Sequence, residues 1–355
     1  MFSKKIINWY QHNKRDLPWR KTVDPYKVWL SEIILQQTRV AQGLPYFNKF
    51  LNSFPKLENL AMASEQEVLK LWQGLGYYSR ARNLYFSAKY IQNELGGKFP
   101  ADYNSLLKLK GVGDYTAAAI ASFCYDEKRV VVDGNVYRVL SRYFGIDTAI
   151  NSHAAKKEFK SLAFELMDKE NPGLFNQAIM EFGALQCTPS KPDCNICPLK
   201  NSCIGLQKDR VTALPVKEKK IIIAKRYFNY LVLIIDENET IVKMRKGKGI
   251  WQNLYEFPLI ESNKSIDYKT LIVDEEFIEY TEQQDFKLEL LTPVDIAHKL
   301  THQHLFIKFW LVSLPMYSKK TISLESASHH PFPIVIHNFL ESFKKQNRCK
   351  LPKKQ

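Results

Sequence analysis

The sequence predicts a multi-domain protein, an all-α half followed by an α+β half. Three observations carry this. The chain has 355 residues, enough for two separate cores. Residues 1–205 repeat apolar side chains at helical spacing, with breakers between the repeats. After a basic stretch with little periodicity, residues from 227 onward read as strands.

In chain order, helical spacing covers 27–41, 65–72, 78–95, 115–123, 135–143, 154–169 and 174–186. Pro45, Pro55, Gly74, Gly76, the Gly96-Gly97 pair, Pro100, Gly145 and the Pro172-Gly173 pair punctuate them. Four cysteines close this half. Residues 208–226 read as an interdomain linker lying along DNA or simply solvated, basic through Lys208, Arg210, Lys217, Lys225 and Arg226 among others. Beyond it, Tyr227–Ile235 and Thr240–Arg245 are expected to form a hairpin about a polar turn. His302–Leu314 reads as a long strand and Pro333–Lys344 as a closing helix. The basic tail, 345–355, is expected to be disordered.

Lys and Arg exceed Asp and Glu by 14, and the pI is about 9.3. A polyanionic partner follows, nucleic acid before an anionic membrane surface, unless the protein is merely basic. The first residues lack the apolar run and cleavage site of a signal peptide. No run approaches the roughly 18 apolar residues of a membrane span. Four of the six cysteines crowd into 187–203, which in a cytosolic chain indicates metal ligation rather than disulfides. A soluble, cytoplasmic protein is expected.

The candidate chemistry begins at a Gly-Val-Gly turn, residues 111–113, before the small residues of a helix. Gly111 and Gly113 permit positive φ and close approach of another backbone, and free N–H groups at a helix N-terminus suit a phosphate. Asp133 follows Gly113 by 20 residues and precedes Gly134-Asn135-Val136, where another helix starts. As an N-cap it is worth about 1 kcal/mol, and the helix N-terminus is expected to lower its pKa. Glu32 sits among Val28, Trp29, Ile33, Ile34 and Leu35. It is either a solvent-face residue or a carboxylic acid whose pKa apolar surroundings raise, able to donate a proton near neutral pH. Together they form an acid beside an anion. Cys187, Cys194, Cys197 and Cys203 show C-x6-C-x2-C-x5-C spacing, which suits tetrahedral zinc or a 4Fe–4S cluster. In residues 75–82, Tyr77 can wedge between bases while Arg80 and Arg82 hold phosphates. Gln36 and Gln37 can hydrogen-bond base edges, or are ordinary polar surface.

Taken together, these elements resemble the helix-hairpin-helix DNA glycosylases, and within them the MutY-type adenine glycosylases. The likeness is dense over 16–205: Leu-Pro-Trp-Arg (17–20), Val-Trp-Leu-Ser-Glu (28–32), Leu-Gln-Gln-Thr (35–38), Gly-Leu-Gly-Tyr-Tyr (74–78) and Asp-Gly-Asn-Val (133–136). It implies a helical catalytic domain over 1–207 with the helix-hairpin-helix at about 106–120. It also implies that the four cysteines, 187–203, hold a 4Fe–4S cluster. Glu32 then protonates adenine N7, and Asp133 stabilises or briefly traps the sugar cation. Tyr115 and Asn135 flank the reacting sugar and the water. Trp19, Arg20 and Gln177 line the adenine pocket, and Gln37 and Tyr77 wedge into the duplex. Relatives like endonuclease III carry at position 115 a lysine that forms a Schiff base and nicks the strand. Tyr115 has no amine, so a monofunctional enzyme is implied.

Residues 227–344 resemble the family's Nudix-like recognition domain through Gly249 to Pro258, which has a Gly-(apolar)-Trp…Glu-Phe-Pro pattern. No Arg-Glu-x-x-Glu-Glu run follows, so the Mg²⁺ carboxylates of Nudix hydrolases are missing. Leu300-Thr301-His302 stands where the family has a Phe-Ser-His loop that probes 8-oxoguanine; Thr301 keeps the hydroxyl, His302 is retained, and Leu300 lacks the aromatic wedge. The expectation is a monomeric, nucleoid-associated enzyme of base-excision repair that leaves an abasic site. Its partner is double-stranded DNA with adenine opposite 8-oxoguanine or guanine. A thymine- or uracil-removing relative, a silent DNA-binding module and a Nudix hydrolase are the rivals.

Overall fold

The computed structural model describes residues 2–218, 223–236, 238–292 and 294–348. The chain forms two compact units. One is built from the segments up to Ala63 and from Arg82 to the basic stretch; the other from Ser64–Ala81 and the chain beyond that stretch.

The first unit is helical. Its elements are α1 (Phe2–Asn13), α2 (Pro25–Leu35), α3 (Val40–Ser53) and α4 (Leu57–Met62). After α5 (Glu65–Trp72), which belongs to the second unit, and α6 (Ser79–Glu94), within which the boundary falls, come six more. These are α7 (Tyr103–Leu106), α8 (Asp114–Tyr125), α9 (Gly134–Phe144), α10 (His153–Leu166), α11 (Pro172–Leu185) and the short α12 (Ile204–Gln207).

Local chemistry sets the boundaries. Asp24 caps α2 by accepting from Tyr26 N–H, with Pro25 in the first turn. The helix expected over 27–41 is two helices. Gln36 leaves helical geometry, Gln37 has φ of 54°, and α3 restarts at Val40. Asp133 caps α9, which ends where Gly145 turns left-handed at φ 69°. Ser152 caps α10 and Pro172 opens α11.

A core of Ile6, Tyr10, Val136, Leu140, Phe159, Phe175, Ile179 and Phe182 gathers α1, α9, α10 and α11. Helix α11 is enclosed almost all round, with Phe175, Ala178, Ile179 and Phe182 at 0–1% exposure. The basic stretch is not plain solvated linker throughout. Val216 O accepts from Ile150 N–H at 3.0 Å, Leu214 O from Arg142 Nε at 3.0 Å, and Asn151 bonds the Glu218 backbone in both directions.

The second unit is α+β. Its strands are β1 (Ala224–Ile235), β2 (Glu239–Thr240), β3 (Lys243–Met244), β4 (Tyr255–Glu256), β5 (Leu259–Ser262), β6 (Lys287–Leu290), β7 (Ile296–Lys299), β8 (Gln303–Leu314) and β9 (Ile322–Ser323). Helices α13 (Tyr268–Leu271), α14 (Glu275–Thr281), α15 (Leu324–Ala327) and α16 (Ile334–Arg348) complete it. Strand β1 runs parallel to β8 from Ala224↔Gln303 to Ile235↔Leu314. The other pairings, β5 and β2 to β1, β6 and β7 to β8, and β9 to β2, are antiparallel, giving a mixed sheet. The expected hairpin of 227–235 with 240–245 is cut short: β1 meets β2 only at Ile235↔Glu239, and Lys243 pairs instead with Glu256 in β4. Phe339 of α16 stacks flat on Phe309 of β8, ring centroids 3.8 Å apart. Helix α16 continues to Arg348, four residues past the predicted end; the rest of the basic tail, with Cys349, lies outside the described residues.

Candidate active site

Two adjoining recesses of the helical unit share Glu32, Leu35, Tyr115 and Asp133. The inner cavity, about 180 Å³, also holds Trp19, Arg20, Asn135, Gln177 and Glu181. The outer cleft, about 670 Å³, is edged by Gln36, Gln37, Gly111 and Gly113. The predicted residues of the first unit, cysteines apart, thus converge on one place.

Glu32 lies in the middle of α2, 7% exposed. Burial pushes its carboxyl up to about 7, while a hydrogen bond from Tyr115 pulls down, Asp133 adds repulsion and Arg20 opposes it. The solvent-face alternative is excluded. Tyr115, on the first turn of α8, has its hydroxyl 3.4 Å from Met180 Sδ as well as beside Glu32, and burial with the two carboxylates raises that hydroxyl far above the usual range.

Asp133 faces Glu32 from the end of α9. Its Oδ1 accepts from Asn135 N–H at 2.9 Å and Val136 N–H at 2.8 Å, and its Oδ2 from Asn135 Nδ2 at 2.7 Å. The sequence led us to expect a lowered pKa. Instead enclosure by protein raises it, outweighing these bonds and the nearby Arg138. The two carboxyls still differ in kind, because Asp133 has three N–H donors whereas Glu32 shares one phenol.

Arg138, one turn along α9, ties this corner together. Its Nη2 donates to Asn135 Oδ1 at 2.8 Å and Gly183 O at 2.6 Å, and its Nε to Cys187 O at 2.7 Å. A Cβ on Gly183 would lie 2.7 Å from Asn135 Cβ, so only glycine lets α11 pass this close behind Asn135.

The back wall holds two residues that the sequence reading missed. Glu181, 1% exposed, is gripped by two arginines. Arg20 Nη1 and Nη2 reach its two oxygens at 2.8 and 2.7 Å, and Arg15 Nε and Nη2 reach them at 2.8 and 2.5 Å. Burial alone would raise this carboxyl; the arginine hydrogen bonds win and hold it near 2. Its signal was the one that picked out Glu32, an acid inside an apolar helix (Ile179-Met180-Glu181-Phe182). Gln177 Oε1 accepts from Tyr10 Oη at 2.8 Å, which fixes the amide and leaves its NH₂ as the donor end. Trp19 is buried, edge-on to Phe47.

The glycines of the hairpin differ from each other. Gly111 has φ of +78°, and a Cβ there would strike Asn83 Cβ at 2.7 Å. Gly113 has ordinary extended backbone, is exposed, and faces open space. The first glycine is needed for the turn; the second leaves room in front of the N–H groups of α8. Gln36 does not point free: its Nε2 donates to Gly111 O at 3.3 Å and Thr116 Oγ1 at 3.2 Å, bracing the hairpin.

In the second unit, Tyr77 and Thr301 share a 2.5 Å hydroxyl hydrogen bond. Tyr77 is exposed at φ 49°, and Arg80, packed on its ring and on Trp72, donates to Gly76 O at 3.1 Å. Leu300, Thr301 and His302 form the tip between β7 and β8, closed by Leu300 N–H to Gln303 O at 2.8 Å. Thr301 and His302 are exposed there. Glu256 is buried against Arg245, 3.0 Å away, and Tyr230.

Cys187, Cys194, Cys197 and Cys203 are free thiols lining a single small pocket. Burial and their mutual charge push Cys194, Cys197 (to about 11) and Cys203 up as thiols. Such a set fits a metal centre, whose positive charge favours thiolates. Among the described residues, no three His, Cys, Asp or Glu side chains are set to hold a single ion.

An all-helical domain with a Gly-Val-Gly hairpin, a buried acid and a capped aspartate at one cavity defines a helix-hairpin-helix DNA N-glycosylase. Residues 30–164 match the HhH-GPD superfamily base excision DNA repair proteins, and residues 229–342 match the NUDIX domain. The chain is 36% identical to the adenine DNA glycosylase of Buchnera aphidicola from Schizaphis graminum, over 97% of this chain and 99% of that one. It is 45% identical to the adenine DNA glycosylase of Rattus norvegicus over 60% of this chain and 44% of that one. A thermostable thymine-DNA glycosylase aligns at TM-score 0.54 and 32% identity, over 58% of this chain and 95% of that one. An endonuclease III–DNA complex, at TM-score 0.51 and 20% identity over 58% of this chain and 94% of that one, shares the helical fold. The protein belongs to the adenine DNA glycosylase family.

Proposed function

We propose that the protein excises adenine opposite 8-oxoguanine or guanine from duplex DNA, hydrolysing the N-glycosidic bond and leaving an abasic site. One observation carries the chemistry: Glu32, a carboxyl pushed up to about 7 by burial, facing the capped Asp133 across a cavity sized for one purine.

Adenine must leave the stack to enter the cavity, at a cost of a few kcal/mol. Gln177 NH₂ and the Arg20–Glu181 pair line the cavity to meet its polar edge, with Trp19 on the same wall. Glu32 gives its proton to N7, making the base a neutral leaving group; such acid catalysis is worth ~10²–10⁴-fold. As the C1′–N9 bond breaks, positive charge grows on the sugar. Asp133, held by Asn135 and the start of α9, stabilises that charge or bonds to C1′ until water replaces it. Tyr115 and Asn135 border the sugar and the water. Among the described residues no lysine lines either recess, which supports release of the base without a Schiff base or strand nicking.

Gly111 and Gly113 offer backbone to a phosphate, and Gln37 and Tyr77 reach toward the duplex. Thr301 and His302 probe the opposing 8-oxoguanine. The four cysteines would hold a 4Fe–4S cluster, in a loop that Arg138 already anchors through Cys187 O. The protein acts as a monomer at the nucleoid in the cytoplasm. The domain limits along the sequence are 1–207 for catalysis, with Ser64–Ala81 packed into the second unit, and 227–344 for recognition. The test is Glu32→Gln. It is expected to bind an adenine:8-oxoguanine duplex with parental affinity and lose at least ~10²-fold in single-turnover excision; near-parental rates contradict the assignment.

A further inference from the structure

Beyond the cleft, a groove of about 370 Å³ continues past Asp114, Tyr115 and Tyr137 to Asn151, Ser152, Lys156 and Lys160. Apart from Tyr115, no residue of this groove takes part in the excision chemistry. Asp114 is the residue after Gly113, so a negative charge stands beside the backbone assigned to a phosphate. It does not stand alone. Lys160 Nζ is 2.6 Å from its Oδ1, the Tyr103 hydroxyl donates to the same oxygen, and Lys156 Nζ lies 3.9 Å from Oδ2. The two lysines are one helical turn apart on α10 and point at the same carboxylate. Lys156 is the looser of the two: its side chain is 64% exposed, and 3.9 Å is too long for a hydrogen bond.

We propose that this groove is a second phosphate seat, carrying the DNA backbone next to the extruded nucleotide, with Lys156 as the cation that meets it. Lys160 neutralises Asp114, so the hairpin does not repel the strand. In the free protein Asp114 also draws Lys156 toward the groove, but at 3.9 Å it makes no hydrogen bond to it; in the complex a phosphate within hydrogen-bond reach takes that cation over. The groove opens from the cleft that holds Gly111, Gly113 and both catalytic carboxylates, so a strand whose base is flipped inward has its flanking phosphates along this line. This rests on the DNA reading above.

The test is anisotropy titration of the full chain at several salt concentrations. The duplexes are undamaged DNA and one with a non-hydrolysable 2′-fluorinated adenosine opposite 8-oxoguanine. Lys156→Gln is expected to weaken both several-fold and to lower the slope of log Kd against log salt by about 0.9. Lys156→Arg should keep the parental slope, and Asp114→Asn should bind more tightly at low salt. A parental slope in Lys156→Gln, or no tightening in a folded Asp114→Asn, overturns the proposal; should Asp114→Asn melt early, the exposed Lys156 carries the test. If the unsubstituted protein shows no preference for the damaged duplex, the mismatch reading fails instead, and the salt slopes still judge the groove.

Discussion

At Glu32, the burial that makes the carboxyl an acid also makes its anion costly to the fold. The folded pKa is about 7, against an ordinary value near 4.5. The folded state therefore binds the proton more tightly, and stability falls as pH rises from about 4.5 to about 7. Above that window the penalty is constant, of order 3 kcal/mol. Glu32→Gln should thus melt higher than the parent at pH 8, with the difference vanishing below about pH 4.5, as scanning calorimetry across pH would read. On the proposed role of Glu32, excision follows the same proton with the opposite sense. The single-turnover rate should fall about tenfold per pH unit above about 7, since only the protonated acid acts. Tyr115 supplies the other prediction at this scale. Tyr115→Lys puts an amine where burial favours its neutral, nucleophilic form, so some strand nicking and borohydride-trapped covalent complex should appear on gels. No trapped complex at all would remove position 115 as the determinant.

Helix α9 joins two kinds of chemistry. Its N-terminus presents Asp133 and Asn135 to the cavity, while Arg138 and Arg142 on the following turns reach the cysteine loop. Arg142 Nη1 lies 3.4 Å from Cys187 Sγ, and Arg138 bonds both Asn135 and Cys187 O. Arg138→Gln should therefore cut excision by tenfold or more while iron content and duplex affinity hold. Arg138→Lys should not rescue it, since one ammonium cannot fork between Asn135, Gly183 and Cys187. Much of this helical architecture was legible. The cap at Asp133, the hairpin glycines and the cysteine spacing are local signals. The break after Leu35 was not, because Gln36-Gln37-Thr38-Arg39 contains no Gly or Pro, and it is Gln36 bonding to the hairpin that holds the turn open. Helix α1 was passed over although Phe2, Ile6 and Tyr10 carry a clear i, i+4 stripe. Glu181 escaped because the arginines that mark it as a buried ion pair, Arg15 and Arg20, lie more than 160 residues away in sequence.

The two units were foreseen, but the wiring of the second was not. Parallel pairing of β1 with β8 joins residues nearly eighty apart, and strands β2–β4 are two residues each, too short for any alternation to register. The attachment of residues 64–81 to that unit is also non-local: Asn253 Nδ2 bonds Glu65 Oε1 at 2.6 Å and Lys70 bonds Ser328 O at 2.7 Å. It is how Tyr77 comes to share a hydrogen bond with Thr301. Thr301→Val keeps the shape and removes the hydroxyl, a loss of about 1 kcal/mol. The preference for 8-oxoguanine over guanine should drop about fivefold in competition binding, while excision of adenine opposite guanine is unchanged. The measurement that bears most directly on the whole account is a panel of duplexes with adenine opposite 8-oxoguanine, guanine, cytosine and thymine, cleaved with and without alkali. Strand breaks that appear only after alkali, and only with the first two partners, are the predicted result; breaks without alkali, or adenine left intact opposite 8-oxoguanine, would contradict it.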